Sequence, residues 1–205
     1  WARDTRNSFL FPTKGVFQRA AAEVGTPLGS LQYYKLSFQH QQFFSLGKNF
    51  TLMLNGEVGI GDGLNDKPLP FFKNFYAGGT SSVRGFSNGT LGPKDIYGDA
   101  LGGDTRVVGN AELIFPLPGL KDDQSLRMSA FIDAGAVWGP SDGNPLNPYN
   151  GLFEEFAFDD MRYSAGIAVL WVSPMGPLKF SLAQPLVEKD GDETEVFQFT
   201  LGNTF

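Results

Sequence analysis

Arg84 is the side chain best placed to do chemistry in this sequence. It lies in Asn74–Phe86, Asn-Phe-Tyr-Ala-Gly-Gly-Thr-Ser-Ser-Val-Arg-Gly-Phe, between Val83 and Gly85-Phe86. That segment falls in the longest span without strand periodicity, residues 62–104. Compact domains rarely carry so long an unpatterned loop unless it has work to do. A guanidinium is a planar fork of donors that suits two carboxylates. Two acids downstream, Glu112 and Asp133, fall on strand faces where they could meet it. Such a trio would brace a loop; it carries no nucleophile and no acid-base pair. On residue types alone, an ordinary surface arginine in a loop remains the simpler account of Arg84.

Other candidates carry less. His40 is the single histidine, but no Gly-x-Ser-x-Gly elbow accompanies it, so it reads as a polar strand-end residue. Asp190-Gly-Asp-Glu193 lacks the twelve-residue ligand pattern of a calcium loop and reads as a solvated turn. Gly59-Ile-Gly-Asp-Gly63 is followed by neither the lysine nor the helix that would hold phosphate. The absence of cysteine removes disulfides, thiolate chemistry and most structural zinc sites. No catalytic residue, metal or cofactor is therefore expected. A formal net charge of -6 argues against nucleic acid, whose phosphates would be repelled.

The elements that must hold these residues are strands. Phe50, Leu52, Leu54, Val58 and Ile60 share one face against Thr51, Asn55 and Glu57. Residues 105–117, 125–138 and 161–172 repeat the alternation, with Glu112 and Asp133 on polar faces. Tyr34, Leu36, Phe38 and Phe44 line an earlier strand; residues 3–11 and 16–24 alternate more loosely. Leu178, Phe180 and Leu182 oppose Lys179 and Ser181, and Phe197, Phe199, Leu201 and Phe205 close the chain. A second long loop is expected over residues 139–160. The 205 residues suffice for one domain or part of a larger one.

Alternating antiparallel strands fit a soluble sandwich, with the apolar face sealed inside, or a membrane barrel with that face turned outward. Strands of about 10 residues suit a membrane crossing. Trp138, Trp171, Tyr163 and Phe205 fall at strand ends, as an interfacial aromatic girdle would. Short turns alternate with long loops. These features favour an all-β, antiparallel transmembrane barrel segment of eight or nine strands. The chain opens Trp1-Ala-Arg-Asp, which is no signal peptide, so any export signal is expected upstream.

The loop resembles the BamA family of outer-membrane assembly factors. Phe75-Tyr-Ala-Gly-Gly and Val83-Arg-Gly-Phe86 match the family's signature on its sixth extracellular loop. Gly109-Asn-Ala-Glu112, Phe131-Ile-Asp-Ala-Gly-Ala-Val-Trp138, Ser164-Ala-Gly-Ile167, Ser173-Pro-Met-Gly-Pro-Leu178 and Phe197-Gln-Phe-Thr-Leu-Gly202 resemble the following family strands in order. The likeness covers nearly the whole chain. It implies a sixteen-stranded barrel, of which these residues form the carboxy-terminal half. It implies that Arg84 reaches into the lumen and pairs with Glu112 and Asp133. It implies a lateral seam at the last strand, involving Phe197, Phe199, Leu201, Gly202 and the terminal Phe205, which also resembles an outer-membrane sorting signal.

The function implied is insertion and folding of β-barrel proteins in the outer membrane of Gram-negative bacteria, without covalent chemistry. The partners implied are outer-membrane lipids and unfolded barrel clients, with assembly lipoproteins docking on periplasmic domains outside these residues. Two alternatives stand beside it. One is a related pore that secretes or translocates a partner protein; the other is a soluble β-sandwich binding module.

Overall fold

A computed structural model of the chain describes residues 1–25, 31–65, 67–95, 97–117, 125–139 and 157–202. Its main feature is one sheet of nine antiparallel strands. They are β1 (Ala2–Asp4), β2 (Gly15–Val24), β3 (Tyr33–Ser45), β4 (Thr51–Gly63), β6 (Thr105–Pro116), β7 (Leu126–Trp138), β8 (Arg162–Ser173), β9 (Gly176–Val187) and β11 (Phe197–Leu201). They pair in chain order, so β1 and β11 are the sheet's two edges. Two short strands, β5 (Gly85–Phe86) and β10 (Thr194–Glu195), pair with each other apart from the wall. Among the described residues no helix is long and apolar enough to cross a membrane; the crossing elements are strands.

The pairing register lines up like with like. Leu36 lies opposite Ile60, and Phe38 opposite Val58, which faces Val107 in turn. Val169 faces Phe180, which faces Phe199. These apolar rows lie open: Val58 is 49% exposed, Ile167 48% and Phe199 60%. The opposite face carries a row of Gln41, Asn55, Asn110, Asp133 and Ser164 across five neighbouring strands. Asp133 and Ser164 in that row are fully buried. A sandwich would hide the first set and wet the second. Here the arrangement is inverted, as it is where lipid is the outer solvent.

What covers much of the polar face is the described part of the loop between β4 and β6. It lies against the inner side of the wall and pins itself through bridges between Phe75 and Gly103 and between Ala77 and Leu91. Ala77, Val83, Phe86 and Leu91 of the loop pack with Val108 of β6 and Val137 of β7 into a small dry cluster. Gly135 makes the approach possible. A Cβ there would stand 2.6 Å from Val83 Cγ2, closer than real carbons come.

Four expectations from the sequence need correction. Of residues 3–11, only the start is strand: Asp4 accepts two bonds from the Arg6 side chain, and Asn7 ties to Thr13, so the chain turns early. Trp138 is not a lipid-facing girdle residue; it is 1% exposed and its indole N–H donates to Asp160 Oδ2 at 3.2 Å. Tyr163 and Trp171 do lie exposed at the ends of β8. His40 sits within β3, not at its end, with Nδ1 3.0 Å from Gln18 Nε2 on the neighbouring strand. The turn at residues 190–193 is exposed as expected at Asp190, Gly191 and Glu193, but the Asp192 side chain is not. Asp192 accepts Arg162 Nε at 3.0 Å and Nη2 at 3.1 Å, and both side chains are nearly inaccessible. Of the second long loop, residues 140–156 lie outside the described residues.

Candidate functional site: an arginine strut between the inner loop and the wall

Arg84 leaves the loop at the turn before β5 and points at β6 and β7. Its Nε donates to Asp133 Oδ2 at 2.7 Å and its Nη2 to Asp133 Oδ1 at 2.8 Å, a bidentate fork. Its Nη1 donates to Glu112 Oε2 at 2.9 Å. The Arg84 backbone N–H also donates to Asp133 Oδ2 at 3.1 Å. The guanidinium carbon lies 3.3 Å from the centre of the Phe131 ring, so its flat face is covered as well as its edge. Arg84 is 3% exposed, Glu112 2% and Asp133 0%.

Burial on its own would lower the Arg84 pKa. Hydrogen bonds to Asp133, together with the charges of Glu112 and Asp133, more than offset it, and the pKa is raised. The guanidinium is thus a fixed cation. The two acids need further partners, and they have them. Ser129 Oγ donates to Glu112 Oε1 at 2.5 Å. Lys179 Nζ of β9 lies 3.4 Å from Glu112 Oε2. Asn110 Nδ2 donates to Asp133 Oδ1 at 2.9 Å and to the Ser82 carbonyl at 2.6 Å. The cluster therefore holds two cations against two carboxylates, spread over the loop, β6, β7 and β9.

The rest of the signature positions the arginine. Val83 and Phe86 are both 0% exposed and anchor the turn in the dry cluster. Gly85 has φ +89, a backbone state that side chains resist, and a Cβ there would lie 3.2 Å from Ala183 Cβ. Glycine at 85 thus meets both a conformational and a spatial need.

At the far end of the sheet, Phe197, Phe199 and Leu201 point outward and are 55%, 60% and 60% exposed. Gly202 follows with φ +90, and its N–H donates to the Pro177 carbonyl at 2.8 Å. Phe205 lies outside the described residues. Lys179, Ser129, Asn110 and Gln198 belong to these sites but did not stand out in the sequence. Strand parity places Lys179 on the polar face, yet β7 and β8 lie between it and Glu112, and only the register of those pairings brings the two together.

A strand wall with an outward apolar face, an inward polar face and a loop braced inside defines an outer-membrane barrel segment. The Omp85 superfamily domain matches residues 1–205, and the chain belongs to that superfamily. It is 46% identical to the outer membrane protein assembly factor BamA of Neisseria meningitidis serogroup B, over all of this chain and 28% of that protein. It is 28% identical to a SAM50-like protein of Schizosaccharomyces pombe, over 94% of this chain and 40% of that one. The crystal structure of BamA from Haemophilus ducreyi lacking POTRA domains 1–3 superposes with a TM-score of 0.90 at 33% identity, covering all of this chain and 41% of the other. The chain thus corresponds to under half the length of each of these relatives, and its fold is that of the carboxy-terminal part of the BamA barrel. Its location is the bacterial outer membrane.

Proposed function

We propose that this chain is the carboxy-terminal wall of an outer-membrane protein assembly factor, in which β11 is one side of a lateral seam. One observation carries the reading. A five-residue strand ends the sheet with its outward apolar row exposed and its inner side held by a loop that is itself bolted to the wall. Free strand edges template pairing. A client strand could add to such an edge by β-augmentation, and further client strands could follow it into the bilayer. The Arg84, Glu112 and Asp133 cluster serves as the strut that keeps the inner loop, and with it the lumen side of the seam, in place.

No covalent step is needed, because strand pairing and burial of the client's apolar face in lipid supply the driving force. The partners are outer-membrane lipids and unfolded barrel clients. Assembly lipoproteins would bind parts of the protein outside these residues. The relatives named as assembly factors support this reading over a secretion pore.

The test is reconstitution of the full-length protein in phospholipid vesicles with an unfolded client barrel. The expected result is client protein embedded in the bilayer, resistant to carbonate extraction, and much less of it with Arg84→Ala. Delivery of client into the vesicle interior with none inserted would favour the pore and overturn the assembly reading.

A further inference from the structure

The loop signature does more than hold itself to the wall. Arg84 grips β6 and β7, and the next two residues grip the terminal strand. Gln198, on the inner face of β11 and 4% exposed, donates Nε2–H to the Phe86 carbonyl at 2.7 Å and accepts from the Gly85 N–H at 3.3 Å. A primary amide presents a donor and an acceptor side by side, and here each meets a backbone group of β5. Two residues further on, Thr200 Oγ1 donates to Thr80 Oγ1 at 2.9 Å. Upstream of β11, β10 pairs with β5 through Thr194 with Phe86 and Glu195 with Gly85. The Ser87 N–H donates to the Glu193 carbonyl at 2.8 Å, and Lys94 Nζ reaches Glu193 Oε1 at 2.8 Å.

Phe86 is wholly buried and Gly85 is buried beside Ala183. If Gln198 let go, the buried Phe86 carbonyl would keep only the Gly79 N–H, at 2.9 Å, and the Gly85 N–H would lose the amide oxygen it meets, so release costs bonds on the turn as well as on the strand. Residues 193–195 are themselves exposed, and of their ties the Lys94–Glu193 ion pair is a surface contact and weak.

We propose that Gln198 is a latch residue: it fastens the inner edge of the terminal strand to the Val83–Phe86 turn, so that β11 is held while Arg84 is seated and is released when the loop withdraws. Gln198 is a positioning residue, acting through the loop. The proposal deepens the seam reading above and rests on it. It makes the state of the arginine strut and the availability of the strand edge one equilibrium, because the same turn carries both contacts.

The experiment uses the full-length protein in phospholipid vesicles and reads amide hydrogen exchange. With Gln198→Ala, exchange should rise on the order of tenfold or more at residues 197–201 and 85–87, the scale of one lost buried bonding pair. Exchange around Glu112 and Asp133 should rise by less, since β6 and β7 keep their bonds to Arg84 whenever the turn is seated. Gln198→Glu sets a buried carboxylate against the Phe86 carbonyl and beside Glu195, and should raise exchange at residues 197–201 and 85–87 at least as much as alanine does. No change at residues 197–201, or an equal rise throughout the sheet, would overturn the latch.

A second measurement reads the coupling. Thr80→Cys with Thr200→Cys, oxidised, should stop client insertion, and reductant should restore it. Normal insertion by the oxidised pair, or failure of the pair to cross-link at all, also overturns the latch. If the wild type inserts no client while the exchange pattern appears as expected, the assembly reading fails and the latch stands.

Discussion

The arginine cluster is a case where the pieces cost more apart than together. Arg84, Glu112 and Asp133 are all out of water, so deleting the cation leaves two carboxylates buried with too few donors. Arg84→Ala should therefore lower stability by about 3–5 kcal/mol, read as a drop in the urea midpoint of the full-length protein in vesicles. Lys179→Met should cost clearly less. Glu112 keeps the Arg84 Nη1 and Ser129 bonds, and the Lys179 contact is the longest in the cluster at 3.4 Å. Equal losses for the two variants would mean that the charge balance, and not the bidentate fork, holds the loop. The loop's single arginine, Arg84, and the polar-face acids Glu112 and Asp133 are visible in the sequence as residue types at the right parity, but their pairing was implied by the family resemblance and not by residue types alone. Lys179, Ser129 and Gln198 were not legible there. Each sits on a polar strand face among similar residues, and nothing local says which of them meets the loop.

At the scale of the element, the inner loop is shaped by a few positions that tolerate no substitute. Gly85 sits at φ +89 with Ala183 Cβ 3.2 Å from where its own Cβ would stand. An alanine there must accept a left-handed backbone, at about 1–2 kcal/mol, and must also push on β9. Gly85→Ala should leave the sheet's circular dichroism intact while residues 62–104 become open to protease. Unchanged protease resistance would show that the turn can reshape without leaving the wall. The long strands were readable from alternation because each has one lipid face and one inner face. Alternation is a poor guide where side chains, not faces, set the path. Residues 3–11 alternate, but the bonds among Asp4, Arg6, Asn7 and Thr13 turn the chain. Trp138 stands at a strand end like a girdle residue, but Asp160 holds its indole in a buried site. The inward fold of residues 62–104 was expected from the family resemblance, since the segment has no periodicity of its own. It follows from the Val83 and Phe86 anchors finding Val108 and Val137.

For the whole molecule, the decisive quantity is which face meets which solvent. The sheet exposes Val58, Ile167 and Phe199 on one side, and places Asn55, Ser164 and Thr200 on the other, across the same three strands. Such a face in water would be an extended apolar patch, far beyond what a soluble monomer leaves open. In lipid it is the ordinary exterior, and a charge placed there costs about 2–4 kcal/mol near the bilayer midplane. Since this chain contains no cysteine, single cysteines can report the alternation directly in an otherwise cysteine-free full-length protein. Cysteines replacing Val58, Ile167 and Phe199 should react with a lipid-soluble maleimide and resist a charged, water-soluble one. Cysteines replacing Asn55 and Ser164 should resist the lipid-soluble reagent, because they look into the space closed by the inner loop. Thr200 should change its behaviour with the loop: shielded while Thr80 covers it, and open to the water-soluble reagent once Arg84→Ala has released the turn. Reaction of the first three with the water-soluble reagent, in intact vesicles, would mean that the apolar rows face water, and a membrane wall could not be built from them.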